Sequence, residues 1–229
     1  MFFHLKNRAL LRVSGSDAET FLQGQLSNDI SKLDALSVQL NAYCQHQGKI
    51  LALFWVTKNE DSFFLSFPSD LLEVIQPRLQ MFVIMSDVVI EDVTKDYIQV
   101  GSIGGETHQK ALAINEKLSL IITNKQDINQ FNMGPIEDWG MACIDSALPE
   151  IFLMTSEKLV PQMLNLDIDE IGVNFSKGCY PGQEVVARLH YLGSAKRRLF
   201  AFESGSEINI SDPLYCASSK SAKDRGARY

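Results

Sequence analysis

Lys177-Gly178-Cys179-Tyr180-Pro181-Gly182-Gln183-Glu184-Val185-Val186-Ala187-Arg188 gathers a thiol, two cations, a carboxylate, an amide and two glycines into one short stretch. Pro181-Gly182 marks a turn, because proline fixes φ and glycine accepts φ > 0. No helix breaker follows from Gln183 to Leu189, and Glu184, Ala187, Arg188 and Leu189 favour helix. The expected local structure is a tight loop running into a short helix; a strand over Glu184–Leu189 is the alternative, which Val185 and Val186 would suit. A thiol at Cys179 would face the helix N-terminus with Lys177 beside it, and both favour the thiolate. Gly178 and Gly182 would let another molecule approach the backbone closely. Glu184 and Arg188 stand at i and i+4, so they pair on a helix. The bland alternative for Cys179 is a buried small hydrophobe. The residues alone therefore reach a candidate reactive or ligating thiol on a glycine loop.

Around this stretch the chain is ordinary in composition. It has 229 residues, 45% of them hydrophobic and 21% charged. That suits a soluble globular protein larger than one typical domain. No apolar run approaches the roughly 18 residues of a membrane span. The start, Met1-Phe2-Phe3-His4-Leu5-Lys6, has neither a secretory nor a transit pattern, so a cytoplasmic protein that begins almost at the fold is expected. The cysteines are Cys44, Cys143, Cys179 and Cys216, none in a C-x-x-C pair. Zinc ribbons and thioredoxin-type sites are disfavoured, and reduced thiols are the expectation. Cys44 and His46 have no further His/Cys pair nearby, which points to a strand end or turn rather than a metal site. Net charge is −7, unevenly spread: residues 1–176 hold 12 Lys/Arg against 23 Asp/Glu, and residues 177–229 hold 9 against 5. The basic C-terminal part could meet an anionic ligand or nucleic acid, but no interleaving of aromatic and basic residues marks a single-strand binder.

In chain order, Leu10, Leu11 and Val13 predict a strand ended by Ser14-Gly15. Ser16-Asp17-Ala18-Glu19 then predicts a capping box on a helix from Ser16 to about Gln25. The unbroken apolar run Ile50–Val56 predicts a doubly buried strand, paired with Phe63–Phe67 through a turn at Lys58–Asp61. Ser69 is expected to cap the next helix, with Pro77 kinking or splitting it. Strands are expected at Val88–Val93, Tyr97–Ile103 and Leu118–Thr123, with helices over Glu106–Ala113 and Pro135–Ile144. Gly101 and Gly104-Gly105 lack a phosphate-loop pattern, and Asp167, Asp169 and Glu170 lack the rest of a calcium loop. Leu199–Phe202, Ile208–Ile210 and Leu214–Tyr215 read as strands of a small C-terminal barrel. The irregular alternation favours α+β.

K-G-C-Y-x-G-Q-E followed by V-V-A-R resembles the hallmark of the YgfZ-type folate-binding proteins, relatives of the T-protein (aminomethyltransferase) of glycine cleavage. Gly15-x-Asp17-Ala18-x-x-Phe21-Leu22-Gln23-Gly24-Gln25-Leu26-x-Asn28-Asp29-Ile30 is similar to the opening of the same family. Val160–Leu166 and Gly193–Leu199 are family-like too. The resemblance implies a T-protein-like α+β body over residues 1–193, and a partial C-terminal β-barrel module with a polar basic tail over residues 194–229. It implies reduced folate (tetrahydrofolate) as ligand, contacted by Trp139, Arg8, Tyr180 and Gln183. Trp139 would stack on the pterin, and Arg8 stands where relatives carry a second Trp. It further implies an accessory role for iron–sulfur enzymes, including those that thiomethylate tRNA. In that role Cys179 is the functional thiol and a transient iron–sulfur ligand, with no intrinsic metal site. Lys177, Glu184 and Arg188 tune and orient the loop, and the partners are iron–sulfur assembly or client enzymes. T-proteins carry an acidic pair where this chain has Ala52 and Leu53. An apolar pair cannot take a proton, which speaks against the alternative, a folate-dependent one-carbon transferase. A tRNA-binding module is the third reading, resting on the basic C-terminal section alone.

Overall fold

The computed structural model describes residues 1–104, 108–193, 195–205 and 207. In chain order the strands and helices are β1 (Phe2–His4), β2 (Arg8–Ser14), α1 (Ala18–Gln25), β3 (Gln39–Cys44), β4 (Ile50–Asn59), β5 (Ser62–Pro68), α2 (Leu72–Gln80), β6 (Val89–Asp92), β7 (Tyr97–Ile103), β8 (Ala111–Ala113), β9 (Leu118–Asn124), α3 (Ile136–Asp145) and α4 (Gln183–Leu192). Two antiparallel sheets result, one in the order β3-β4-β5-β2-β6 and the other β1-β7-β9-β8. This is an α+β body.

The apolar run Ile50–Val56 is buried at every position because β4 has packing on both faces. On one face of the five-stranded sheet, Leu10, Phe64 and Val93 meet Tyr97 and Ile122 of the other sheet. Phe21 and Leu22 of α1 and Ile75 and Leu79 of α2 enter the main core with Leu11, Leu65 and Phe67. Each such side chain contributes about 1.5–3 kcal/mol by leaving water. The exposed edge of β3 is a liability that the chain covers itself. Leu26 bridges Tyr43, Ser27 N–H donates to Ala42 O at 3.0 Å, and Asn28 Nδ2 donates to Leu40 O at 3.1 Å.

Several local expectations differ. Ser16 does not cap α1: its Oγ donates to Asp87 Oδ2 at 2.9 Å, and Asp17 Oδ2 accepts from Asp87 N–H at 2.8 Å. The long-range clasp takes the side chains that a capping box would use. Ser69 opens a 3-10 turn rather than capping by its hydroxyl. Pro77 lies within α2, which runs on to Gln80 unsplit. Residues 108–113 form no helix, since 111–113 pair with β9 as strand β8. Leu199–Phe202 is described and belongs to no strand. Ile208–Ile210 and Leu214–Tyr215 lie outside the described residues, as does most of the proposed C-terminal module.

Candidate functional site

Gly182, at φ +83°, is the residue before α4. Gly48, at φ +75°, sits at the turn between β3 and β4. These two turns pack backbone to backbone. A Cβ on Gly182 would stand 2.8 Å from Gly48 Cα and clash with Gln45 O. A Cβ on Gly48 would stand 3.0 Å from Val185 Cβ. Glycine is required at both positions by conformation and by contact.

Lys177 anchors the other end of the loop. Its Nζ donates to Gln23 O at 2.7 Å, Leu26 O at 2.6 Å and Asn28 O at 2.9 Å. These carbonyls lie at and just beyond the C-terminal end of α1, where a cation is favoured. An ammonium has three donors, and three carbonyls take them. Lys177 was expected to stand by the thiol; its hydrogen bonds instead bolt the loop to α1. Burial pushes Lys177 down to about 8, with Asp29 opposing. Tyr180 is buried beneath the loop; burial first, and then Cys44, holds its phenol above the usual range. Gln183 Nε2 donates to Gly178 O at 3.4 Å. The helix, not the strand alternative, forms over Gln183–Leu192, and on it Arg188 Nη2 meets Glu184 Oε1 at 2.7 Å, both exposed.

Between these two anchors Cys179 is exposed. Burial raises the Cys44 thiol to about 12 and, with help from Glu150, the Cys143 thiol to about 12. Among the cysteines of the described residues, Cys179 is the exposed one.

A buried polar network lies behind Lys177. Asn28 N–H donates to Asn41 Oδ1 at 3.0 Å, Asn41 Nδ2 to Gln39 Oε1 at 2.9 Å, and Gln39 Nε2 to Asp29 O at 2.8 Å. Ser27 Oγ donates to Gly172 O at 2.5 Å, and Asn174 N–H to Ser27 O at 3.0 Å. The segment Gln23–Asp29 and the cysteine loop, about 150 residues apart in sequence, are thus one structure.

Gln39 also lines a cleft of about 360 Å³ with Lys32, Leu40, Asn115, Leu148 and Pro149. Leu40 pairs with Trp55 across the β3–β4 ladder, and Pro149 precedes Glu150. Trp55 and Glu150 belong to a buried cluster centred on Arg8. The Arg8 guanidinium lies 3.6 Å over the Trp55 ring, its Nε donates to Ser66 Oγ at 2.7 Å, and its Nη1 pairs with Glu150 Oε1. Gln99 joins through Ser66 Oγ and donates to Arg8 O at 3.2 Å. Burial lowers the Arg8 pKa and Glu150 opposes the shift. Trp139 is 7% exposed, with its ring against Phe3, Trp55 and Gly101. A Cβ on Gly101 would fall 2.6 Å from that ring, which explains the glycine in β7.

The four expected folate contacts thus fall in two places, and none lines the cleft. Trp139 and Arg8 lie in the buried cluster, while Tyr180 and Gln183 lie on the cysteine loop. Trp55 and Glu150 were missed. Trp55 was hidden inside an apolar run, but a lone Glu after Leu148-Pro149 and a lone Arg before Ala9–Leu11 were a readable signal. Ala52 and Leu53 are buried in β4 and offer no proton carrier. Among the described residues there is no group of three His, Cys, Asp or Glu placed to hold a metal ion, and no helix long and apolar enough to cross a membrane.

No family model matches the chain. An uncharacterised protein of Haemophilus influenzae is 35% identical over 222 residues, spanning 91% of this chain and 78% of the relative. The tRNA-modifying protein YgfZ of Colwellia psychrerythraea is 27% identical, over 86% of this chain and 69% of its own length. That of Vibrio atlanticus is 26% identical, over 99% and 77%. In fold, the glycine cleavage system aminomethyltransferase T of Bartonella henselae superposes with a TM-score of 0.64 at 12% identity, over 82% of this chain and 63% of that one.

Proposed function

We propose, from the premise that the chain belongs to the YgfZ-type family, that it is a folate-binding accessory protein supporting iron–sulfur enzymes, including those that modify tRNA. The observation that carries this reading is the exposed Cys179 on a loop bolted at both ends, by Lys177 to α1 and by Gly182 to the Gly48 turn. A thiol so held can receive and hand on a sulfur-bonded cargo without a change of fold. One thiolate cannot hold a cluster alone, so the partner, an assembly or client enzyme, supplies the remaining ligands. Glu184 and Arg188 form an exposed charged pair on α4, the helix that follows the thiol loop, which such a partner would meet.

For a reduced folate, the residues present fit in kind. The cleft has apolar walls at Leu40, Leu148 and Pro149, amides at Gln39 and Asn115, and a cation at Lys32 suited to a glutamyl carboxylate. Behind it, Trp55 Nε1 is buried without a hydrogen-bond partner among the described residues. When bound, a folate would supply one-carbon or redox chemistry of its own. The chain's residues bind and orient it, and with Ala52 and Leu53 in place of an acidic pair they do not move its protons. Trp139 and Arg8 support the cleft from behind by fixing Trp55.

The test is a rescue assay. In cells lacking this protein, iron–sulfur-dependent tRNA thiomethylation is quantified after restoring wild type or Cys179→Ala, with calorimetric titration of 5-formyltetrahydrofolate on the purified proteins. The expected result is rescue by wild type alone, with folate binding unchanged between the two. Equal rescue would show that the exposed Cys179 thiol is dispensable and leave only the folate cleft.

A further inference from the structure

Polar side chains are buried at a cost unless each finds a partner, and a fully satisfied network fixes one geometry. Such a network runs from the cleft to the cysteine loop. Gln39 stands on the cleft wall. Its Oε1 accepts from Asn41 Nδ2 at 2.9 Å, and Asn41 Oδ1 accepts the Asn28 N–H at 3.0 Å. The carbonyl of that same Asn28 accepts from Lys177 Nζ at 2.9 Å, and Lys177 is two residues from Cys179. Asn41 is fully buried and Asn28 nearly so. Asn28 is further held by its own Nδ2, which donates to Leu40 O at 3.1 Å. Leu40 is again a residue of the cleft wall.

We infer that Gln39, Asn41 and Asn28 are positioning residues that couple the occupancy of the cleft to the placement of Cys179. This rests on the folate reading for the identity of the occupant, but not for the existence of the path. An amide oxygen accepts two hydrogen bonds and an amide nitrogen donates two. Gln39 therefore has capacity for a ligand while it holds Asn41 and Asp29. A ligand that draws on the Gln39 amide changes how firmly Asn41 holds the Asn28 N–H. The carbonyl of the same residue, one peptide unit on, is one of the three on which the Lys177 ammonium rests. The loop has no slack at its other end, where Gly182 abuts Gly48, so a shift at Lys177 is expressed between the two anchors, at Cys179. Gln39 and Asn41 touch neither the sulfur nor a reacting atom, so their effect is indirect.

The experiment follows the alkylation rate of Cys179 by iodoacetamide at fixed pH, read on the Cys179 peptide by mass spectrometry. It compares the full-length wild type, Gln39→Leu, Asn41→Leu, Lys177→Met and the double variant Asn41→Leu/Lys177→Met, each with and without 5-formyltetrahydrofolate. Circular dichroism establishes that each is folded. Gln39→Leu, at a half-buried position with similar volume, keeps the test available should Asn41→Leu fail to fold. Without ligand, Lys177→Met and Asn41→Leu are expected to change the rate by about fivefold or more in the same direction, in the range of typical coupling energies. The double variant should add little to either, because both cut one path. With ligand at a concentration that calorimetry shows to occupy both proteins, the wild-type rate should shift and that of Gln39→Leu should not. Additive single effects, or an unliganded Asn41→Leu rate within about twofold of wild type, would overturn the path. Folate binding with no change in the wild-type rate would overturn the coupling. An absence of folate binding by calorimetry would overturn the occupant proposed above, while the unliganded rates still decide the path.

Discussion

Replacing Lys177 by methionine keeps the length of the side chain and removes its three donors. At neutral pH the carbonyls of Gln23, Leu26 and Asn28 lose hydrogen bonds of 2.7, 2.6 and 2.9 Å. Hydrogen bonds to a charged group contribute about 1.5–3 kcal/mol each, but removing a half-buried ammonium also relieves its desolvation. We expect a net loss of about 3 kcal/mol, which for a chain of this size lowers Tm by roughly 6–12 °C. The pH dependence gives a sharper check. Lys177 is pushed from 10.5 to about 8 by burial. Below pH 8 both the folded and the unfolded chain carry the proton. Between about 8 and 10.5 the folded chain releases it while the unfolded chain keeps it, so the stability of wild type rises with pH relative to the variant. The Lys177 side chain is only partly buried, so the full linkage is reduced by screening to about 1–2 kcal/mol. Urea unfolding of both proteins, followed by circular dichroism from neutral pH to 10.5, gives the difference directly, and other alkaline effects cancel. A variant as stable as wild type at neutral pH would refute the anchoring role, whereas a difference that stays flat across the window would show that the three carbonyls offset the desolvation of the ammonium.

Gly182→Ala should cost about 2–4 kcal/mol through left-handed strain and the clash with the Gly48 turn, whereas Gly24→Ala, whose Cβ meets nothing in α1, should gain about 0.5–1 kcal/mol; thermal melts of the two variants compare them. Glu150→Gln leaves the Arg8 guanidinium buried beside Trp55 without its counter-charge and should destabilise by about 2–3 kcal/mol in chemical denaturation, somewhat below a fully buried pair because Glu150 is partly exposed. Glu184→Ala breaks an exposed pair and should shift stability by less than about 0.5 kcal/mol; a larger loss in the same denaturation assay would mean that Glu184 has a further partner.

What could be read from sequence was what depends on neighbours in the chain. The apolar run Ile50–Val56 read as a doubly buried strand, and the unbroken Gln183–Leu189 could carry a helix once Gly182 had turned the chain, a helix that runs on to Leu192. Ser16 misled because its capping competitor, Asp87, lies 71 residues on. The segment ending in Ala111–Ala113 looked helical by composition, but β9 offered it a ladder. At the site, the exposed thiol, the Glu184–Arg188 pair and the glycine turn were local and legible. The direction of Lys177, the Trp55 face over which Arg8 lies and the Asn28–Asn41–Gln39 network were not. Each depends on which strands become neighbours, which no spacing within the motif encodes. Trp139 was singled out as a stacking surface, yet it packs on Gly101, since an indole beside a bare backbone is more stable covered than wet.

The partners of Lys177 lie 149 to 154 residues earlier in the chain. Contacts of such separation form late in folding, after the local hairpins have closed. A ribosome delivers α1 and the five-stranded sheet well before Cys179 emerges, so the seat for the loop exists before the loop does. The thiol therefore acquires its fixed placement only once the N-terminal body is complete, and a chain that fails to build that body never presents Cys179 in its bolted form. Folding order thus sets when Cys179 takes its fixed place, which pulsed alkylation during refolding would time: Cys179 should reach its native alkylation rate no earlier than the hydrogen-exchange protection of β3 and β4.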